Sequence, residues 1–181
     1  MSGNAKFRWF LLVPILVIVS GCASVPLESA QITKVAKQFD PPSDGKSGLY
    51  IYRNTAYGGA ARTDVMVDGY CVGSSAPYVF FYEEVEGDKT HKVSSGDTTT
   101  FGDQLCRNCL LIKVKSGMHY FIKQNMVFWD VGVELVDEEQ GKEEVSKLDM
   151  ATQGTCRPGS TLGDELHNIQ SIGSSLGGLL P

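Results

Sequence analysis

Short segments in which apolar and polar residues alternate recur between Gly48 and Leu135, and they most constrain what this chain can fold into. A period of two places neighbouring side chains on opposite faces of a sheet, so each segment predicts a β-strand. In the clearest segment, Leu110, Ile112 and Val114 share one face. About seven short strands with turn residues between them predict a mainly β fold, a small antiparallel β-sandwich.

The sharpest local signal in this region is Asp68-Gly69, which lies between the apolar segments 64–67 and 70–72. Both central residues of a type I′ turn need positive φ, and Asp-Gly is among the dipeptides that suit it best. The dipeptide therefore predicts a β-hairpin. The next strand, 78–82, is apolar on both faces, which predicts a central position between two layers.

Two segments outside the strands have helical character. From Ser29 to Phe39 apolar residues recur every three or four positions, and Ser29 is a suitable N-cap. This pattern predicts a short helix that docks on the domain behind it. A second helix is predicted from Asp137, which is a suitable N-cap, to Leu148, although Gly141 inside it costs about 1 kcal/mol relative to Ala. The apolar residues of the first helix are Ile32, Val35, Ala36 and Phe39.

The N-terminal residues have the pattern of a secretory signal. Lys6 and Arg8 precede an apolar run of about 11 residues, which is too short to span a bilayer core that needs about 20. The run ends in Val19-Ser20-Gly21-Cys22, which resembles the lipobox of bacterial lipoproteins. In that class the Cys thiol is acylated and the peptide bond before it is cut. The resemblance implies a signal peptide at 1–21 and lipidation of Cys22.

Charge limits the partners of the mature chain. The net charge is −5, and loss of Lys6 and Arg8 with the signal makes it −7. An acidic chain of this kind has no electrostatic footprint for nucleic acid. It is also not attracted to anionic headgroups, so acyl chains on Cys22 are the expected membrane link. Ala23 follows the Cys, and an Asp there would resemble an inner-membrane retention signal, so we expect an outer-membrane lipoprotein.

Cysteine usage predicts structural cross-links. The chain has five Cys, of which Cys22 is used by lipidation. An even number left over in an oxidising compartment predicts two disulfides, and the sequence does not choose among the three pairings. The candidate disulfide residues are Cys71, Cys106, Cys109 and Cys156.

The pair Cys106 and Cys109 also supports an alternative function, thiol redox or metal binding. A redox dithiol needs a low-pKa thiolate, usually at a helix N-terminus, whereas a strand is predicted here. A zinc site could add Cys71 and Cys156, or His119, but structural zinc sites usually show two close ligand pairs. The favoured prediction therefore includes no cofactor and no metal.

No catalytic constellation is visible, so we expect a non-enzymatic protein. The three histidines fall in unrelated segments, and there is no nucleophile elbow. Arg53 and Arg62 flank a Gly-Gly loop and could bind an anion, although exposed charges beside a turn are the plainer interpretation. Six tyrosines between residues 50 and 82 would offer a sugar or protein contact if several shared one exposed face. The acidic clusters are interpreted as solvated faces.

These observations divide the chain into four parts: a signal peptide (1–21), a tether with a short helix (22–47), the β domain (48–150) and a Gly- and Ser-rich tail (151–181). Tail residues from Leu162 to Leu176 keep roughly helical spacing, and two interpretations follow from that. The favoured one is a mostly disordered end, and the other is an amphipathic helix that forms on a partner.

The order of several short motifs resembles a bacterial lipoprotein family, domain of unknown function 2846 (DUF2846). The resemblance covers about Lys37 to Leu148. It implies an envelope lipoprotein with a small β domain and brings no established activity or catalytic residues, so the expected partner is an unspecified envelope protein or glycan. The four additional Cys and the long tail are not part of that pattern. The motifs are Lys37, Phe39, Pro41-Pro42, Gly45-Lys46, Tyr50-Ile51-Tyr52-Arg53, Gly58-Gly59, Val67-Asp68-Gly69, Gly73, Gly117-Met118-His119-Tyr120 and Val133-Glu134-Leu135-Val136-Asp137.

Overall fold

A computed structural model of the chain describes residues 23–58, 61–96, 109–127, 130–154 and 156. Within these residues the fold is mainly β, with nine strands and two short helices. The helices are α1 (Ala30–Ala36) and α2 (Glu138–Ser146). The strands are β1 (Lys46–Arg53), β2 (Thr63–Val67), β3 (Tyr70–Ser75), β4 (Val79–Glu86), β5 (Thr90–Ser95), β6 (Cys109–Lys113), β7 (His119–Val127), β8 (Asp130–Val136) and β9 (Asp149–Met150).

The strands form two sheets, and one of them corrects the prediction of an all-antiparallel fold. The four-stranded sheet, in the order β3-β2-β5-β6, is antiparallel throughout. The five-stranded sheet, in the order β8-β7-β1-β4-β9, is mixed, because β1 runs parallel to β7 and β4 runs parallel to β9. Parallel neighbours need long connections, and alternation within one strand carries no information about its neighbour's direction.

The two sheets share an aliphatic core. Leu49, Ile51 and Phe81 of the five-stranded sheet meet Val65 and Val93 of the four-stranded sheet in one buried cluster. Alternate residues of the same strands form a second cluster on the outer face of the five-stranded sheet. This outer cluster is mostly aromatic and contacts both helices, so β1 and β4 lie between two layers, as was predicted for β4 from its two apolar faces. It contains Tyr50, Tyr52, Phe80, Phe121, Val145, Leu148 and Met150.

The predicted hairpin turn and the two predicted helix N-caps are present in the structure. Asp68 and Gly69 have φ of 53° and 83°, which is the left-handed geometry of the predicted hairpin turn between β2 and β3. The Ser29 side chain accepts a hydrogen bond from the Ile32 amide and so caps α1. Asp137 caps α2 by accepting from the Gln140 amide. Both caps satisfy an amide that the first helical turn leaves unpaired.

Gly141 has a role in packing that its low helix propensity does not indicate. It lies in α2 directly over the five-stranded sheet, and a Cβ there would stand 2.2 Å from Cγ of Phe121. Only glycine allows the helix backbone to approach the ring this closely. The residue that weakens α2 as an isolated helix therefore permits its docking.

The segment predicted as a tether is held against the folded body almost from its start. Val25 packs against the aliphatic core. The amide of Glu28 donates to the Met150 carbonyl at 2.8 Å, and the amide of Thr152 donates to the Pro26 carbonyl at 3.0 Å. Leu27 forms an antiparallel bridge with Ala151. Residues 25–28, called the edge segment below, thus extend the five-stranded sheet beyond β9.

Helix α1 forms where it is predicted, but its apolar stripe is not buried as expected. Thr33 is its buried residue, whereas Ile32 and Val35 are 48% and 50% exposed. Phe39 beyond the helix reaches the outer cluster, with its ring centroid 5.2 Å from that of Tyr50. The helix is thus attached at its C-terminal end and leaves its apolar middle open.

Some predictions concern residues outside the described ranges. These are the signal peptide with Cys22, the thiol of Cys106, and the tail beyond Cys156. In the part of the chain that the structure describes, no helix has the length and apolarity needed to cross a bilayer.

Candidate functional site

A concave surface of about 410 Å³ lies between α1 and the outer face of the five-stranded sheet. Its volume is within the range of about 300–1,000 Å³ that is common for ligand-sized pockets. One wall is Ile32, Val35 and Ala36 of α1. The opposite side is Tyr50, Tyr82 and Met150 of β1, β4 and β9, and Asp40 and Glu84 also line it. This surface is called the α1 groove below.

Two tyrosines line the groove because β1 and β4 pair in register. Tyr50 lies directly opposite Tyr82, and their ring centroids are 4.8 Å apart. Burial is the main cause that raises the pKa of both phenols above the ordinary value of 10. Both hydroxyls therefore remain donors at neutral pH. Tyr50 donates to the Ala36 carbonyl at 2.8 Å, and Tyr82 donates to Oε1 of Glu84 at 3.1 Å.

Glu84 is an anchored carboxylate rather than part of a solvated acidic face. The Ser43 amide donates to its Oε1 at 3.0 Å. That backbone hydrogen bond is the largest cause that holds the pKa of Glu84 below its ordinary value. Its neighbour Glu83 shows the opposite effect, because burial raises its pKa. The two tyrosine hydroxyls and the Glu84 carboxylate are thus already paired within the protein, and most of the remaining lining residues are apolar.

His119 lies behind the groove, with its ring centroid 5.4 Å from that of Tyr50. Burial, and then the charge of Lys142, lower its pKa, so the neutral imidazole is favoured. Its Nε2 atom is buried and has no hydrogen-bond partner among the described residues. Gly48 makes room for the ring, since a Cβ there would lie 2.5 Å from its Cδ2 atom.

On the same outer face of the five-stranded sheet, beneath α2, polar side chains form a hydrogen-bonded network. The Tyr52 hydroxyl donates to Oε2 of Glu144 at 2.7 Å, and Nζ of Lys123 lies 3.2 Å from Oε1. Burial opposes ionisation of Glu144. The hydrogen bonds from Tyr52, Gln140 and Lys123 outweigh that effect and hold its pKa below the ordinary value. A second cleft of about 430 Å³ adjoins this network, and its lining includes Asn54, Tyr78 and Leu148.

Arg53 corrects the interpretation of exposed charges beside a turn. The side chain is 0% exposed. Its Nη1 donates to the Ala61 carbonyl at 3.0 Å and its Nη2 to the Tyr57 carbonyl at 2.7 Å. Its Nε has no partner among the described residues, and burial lowers its pKa. The guanidinium therefore links the backbone at Tyr57 to that at Ala61 and is not accessible to an anion from solvent, whereas Arg62 is exposed.

A buried amide joins the two sheets at the same end of β1. Gln124 of β7 accepts from the Ser75 hydroxyl at 2.5 Å and donates to the Ser95 hydroxyl at 2.5 Å. Its amide nitrogen also lies 3.3 Å from the Thr63 hydroxyl. These contacts satisfy a side chain that would be costly to bury alone, so they are best explained as a structural link. The alternation of β7 did not reveal it.

The structure resolves one of the open cysteine pairings. Cys71 of β3 is bonded to Cys156, which lies 85 positions further along the chain. Cys109 is also disulfide-bonded, and its partner lies outside the described residues. Cys109 is the first residue of β6, so it does not itself lie at the N-terminus of a helix, the usual position of an activated thiolate.

The histidines and acidic residues do not assemble into a reactive centre within the described ranges. Nδ1 of His91 lies 2.6 Å from Oδ2 of Asp68, and its Nε2 lies 2.7 Å from the Glu86 carbonyl. Both ring nitrogens thus face acceptors, one in the β2–β3 hairpin turn and one at the end of β4. The described residues contain no cluster of three or more His, Cys, Asp or Glu side chains suited to a metal ion. His167 lies outside those residues.

The sequence identified the tyrosines but not the groove. Tyr50 and Tyr82 meet only because β1 pairs with β4, while Tyr57, Tyr70 and Tyr78 are exposed in three separate segments. The exposed α1 residues were predicted to be buried. The spacing of Ile32 and Val35 was the available signal, but spacing does not say whether a helix face finds a partner.

Comparisons with known proteins agree with the motif resemblance. A family model described as "Protein of unknown function (DUF2846)" matches residues 43–135. The match extends from just before β1 into β8, so α1 and α2 lie outside it. A Haemophilus influenzae protein described as "Uncharacterized protein" is 39% identical over 144 residues, which cover 77% of this chain and 82% of that protein.

Proposed function

The chain belongs to the DUF2846 family, and from that premise we propose that it is a lipid-anchored lipoprotein of the bacterial cell envelope. In this proposal the two sheets form a small sandwich that acts as a non-enzymatic binding or structural module. Its membrane link is the acylated Cys22, its location is the outer membrane, and its partner is an envelope protein or glycan.

The observation that carries the proposal is that the residues just after the proposed cleavage site are already bound to the domain. The core, the sheet edge and the helix caps use residues from Val25 onward, three positions after Cys22. These contacts join described residues to one another, so cleavage before Cys22 would not break them. They therefore agree with the processing site that the N-terminal pattern predicts.

The cross-links support a durable module in an oxidising compartment. The Cys71–Cys156 bond joins the end of the described chain to β3, and such a long closed loop can stabilise a domain by about 2–5 kcal/mol. Persistent disulfides of this kind are typical of exported proteins.

The proposal is tested by labelling cells with an alkyne-tagged fatty acid and mapping the label. We expect label on Cys22, its loss in Cys22→Ala, and its retention in Ser20→Ala, which keeps the thiol and a small residue before it. Label that persists in the Cys22→Ala variant, or none in the native chain, would contradict the proposal.

Thiol redox or metal binding through Cys106 and Cys109 remains the second candidate, because Cys109 is oxidised and has a Cys three positions before it. Alkylation of the membrane-extracted protein before and after reduction separates the two candidates. A structural role predicts that neither thiol reacts without reductant. Ready alkylation, or alkylation that requires a chelator, would favour the second candidate.

A further inference from the structure

We propose that the α1 groove and the exposed side of α1 rest on the surface of the bilayer that holds Cys22. This inference rests on the proposed function, because it takes Cys22 to be acylated. To the proposed function it adds how the domain is oriented on the membrane. It also states that the lipid surface is what contacts the exposed apolar side chains of α1.

The first argument is the length of chain between the anchor and the body. Val25 is partly buried and packs against the aliphatic core, and Cys22 lies three residues before it. Three residues span at most about 10 Å even when fully extended. The polar headgroup layer is itself about 5–8 Å thick on each side of the bilayer. An acylated Cys22 therefore leaves almost no linker, and the nearest surface of the domain lies at the headgroups.

The second argument is which surface is nearest. The edge segment is the outermost strand of the five-stranded sheet, and α1 follows it directly and packs beside β9. Exposed apolar side chains are found on these elements: Leu27 on the edge segment, and Ile32 and Val35 on α1. The elements closest to the anchor thus present large apolar side chains to the outside.

The third argument is the chemistry of the groove. Its two hydroxyls and the Glu84 carboxylate are engaged internally, since Tyr50 donates to Ala36 and Glu84 accepts from Ser43 and Tyr82. Asp40, the other acidic residue of the lining, is exposed. Contact with the acyl boundary would therefore not break hydrogen bonds that the protein cannot replace. The contact does not depend on anionic headgroups, because the mature chain is acidic. Apolar burial is the interaction that this surface offers.

The fourth argument is that the contact needs little intrinsic affinity. A short linker turns association into an intramolecular event with an effective concentration roughly in the millimolar range. A patch too small to bring a free protein to a membrane can therefore stay engaged once the anchor is in place.

The test places a tryptophan on each side of the molecule in the full-length acylated protein. Val35→Trp reports on α1, and Ile32→Trp is a second probe on the same helix. Leu111→Trp is the matched control, because Leu111 is 69% exposed on β6, at the far edge of the four-stranded sheet beside β8. Each protein, and the native chain for subtraction, is reconstituted in vesicles of phosphatidylethanolamine and phosphatidylglycerol with brominated acyl chains.

We expect the added emission of the α1 probes to be mostly quenched by the brominated lipid and that of Leu111→Trp to be retained. Equal quenching at both positions, or none on α1, would overturn the inference. Blue-shifted but unquenched emission on α1 would also overturn it, since the cover would then be the segment 161–176 or a second copy of the chain. Mass analysis of the Cys22 peptide in the same sample distinguishes the proposals: an unmodified Cys22 overturns both, whereas an acylated Cys22 with unquenched probes overturns only this one.

Discussion

The two helices lie on the same face of the five-stranded sheet and begin in the same way. They differ in burial, because α2 packs closely on the sheet whereas α1 leaves apolar side chains exposed. Each is capped by a side chain that accepts from the amide three residues later. Helix α2 buries Gly141 and Val145 against the sheet, and Leu148 follows it into the outer cluster. Helix α1 buries Thr33 and leaves Ile32 and Val35 half exposed.

This difference shows that a cap and an apolar stripe determine a helix but not its burial. Most helical stability in proteins comes from packing of the apolar face, so α1 is the element whose packing is incomplete within the described residues. An exposed apolar surface of this kind commonly marks a contact with something outside the fold. The lipid-surface proposal supplies that contact, and the comparison can be tested without any membrane.

The largest effect is expected from truncating a buried side chain that packs beneath α2. Leu148→Ala should lower the free energy of unfolding by about 2–5 kcal/mol, because Leu148 is only 3% exposed and its loss leaves a cavity. The matched change on the open side, Val35→Ala, should stay within about 0.5 kcal/mol. Urea unfolding followed by circular dichroism measures both. Similar losses for the two variants would mean that α1 is as tightly packed as α2.

A smaller effect is expected where α2 meets the sheet. Gly141→Ala improves helix propensity by about 1 kcal/mol, yet it should destabilise the protein by about 1–3 kcal/mol. The reason is that the new Cβ would collide with the Phe121 side chain. Gly132→Ala is the control, because a Cβ at Gly132 meets nothing within 4 Å. A more stable Gly141→Ala variant would refute the close approach of α2.

The smallest effect concerns the polar network beneath α2. In the folded protein the pKa of Glu144 lies below its ordinary value of 4.5. The ionised carboxylate therefore stabilises the fold fully at a pH above 4.5. This contribution is lost as the pH falls through the pKa that Glu144 has in the folded protein. Glu144→Gln should cost up to about 1 kcal/mol at pH 7, and the difference from the native chain should close under acid conditions. Unfolding curves across that range measure the difference.

The matched variant for this network is Glu143→Gln, whose carboxylate is exposed and pairs with Lys147 on the surface. It should change stability less than Glu144→Gln at every pH. If the stability difference between Glu144→Gln and the native chain persisted unchanged in acid, the charge of the carboxylate would not be the source of the stabilisation.

The candidate site was less predictable than the elements that form it. Tyr50, Tyr82 and α1 were each identified, but the groove depends on the pairing of β1 with β4 and on how far α1 docks. Arg53 was expected at the surface because it precedes a Gly-Gly pair, and it is buried with its guanidinium bonded to the carbonyls of Tyr57 and Ala61. Neither outcome has a local signature, because both depend on residues brought together by the sheet.

The sequence by itself determined the short-range features: the alternation of most strands, the Asp68-Gly69 turn, and the caps at Ser29 and Asp137. These depend on φ preferences and on hydrogen bonds that span only a few residues, so the necessary information is adjacent in the chain. Only the tertiary structure decided the parallel pairing of β1 with β7, the Cys71–Cys156 bond, the close approach of Gly141 to Phe121 and the open face of α1. Each of these requires contact between distant segments, and that contact follows from the packing of the whole domain rather than from any local preference.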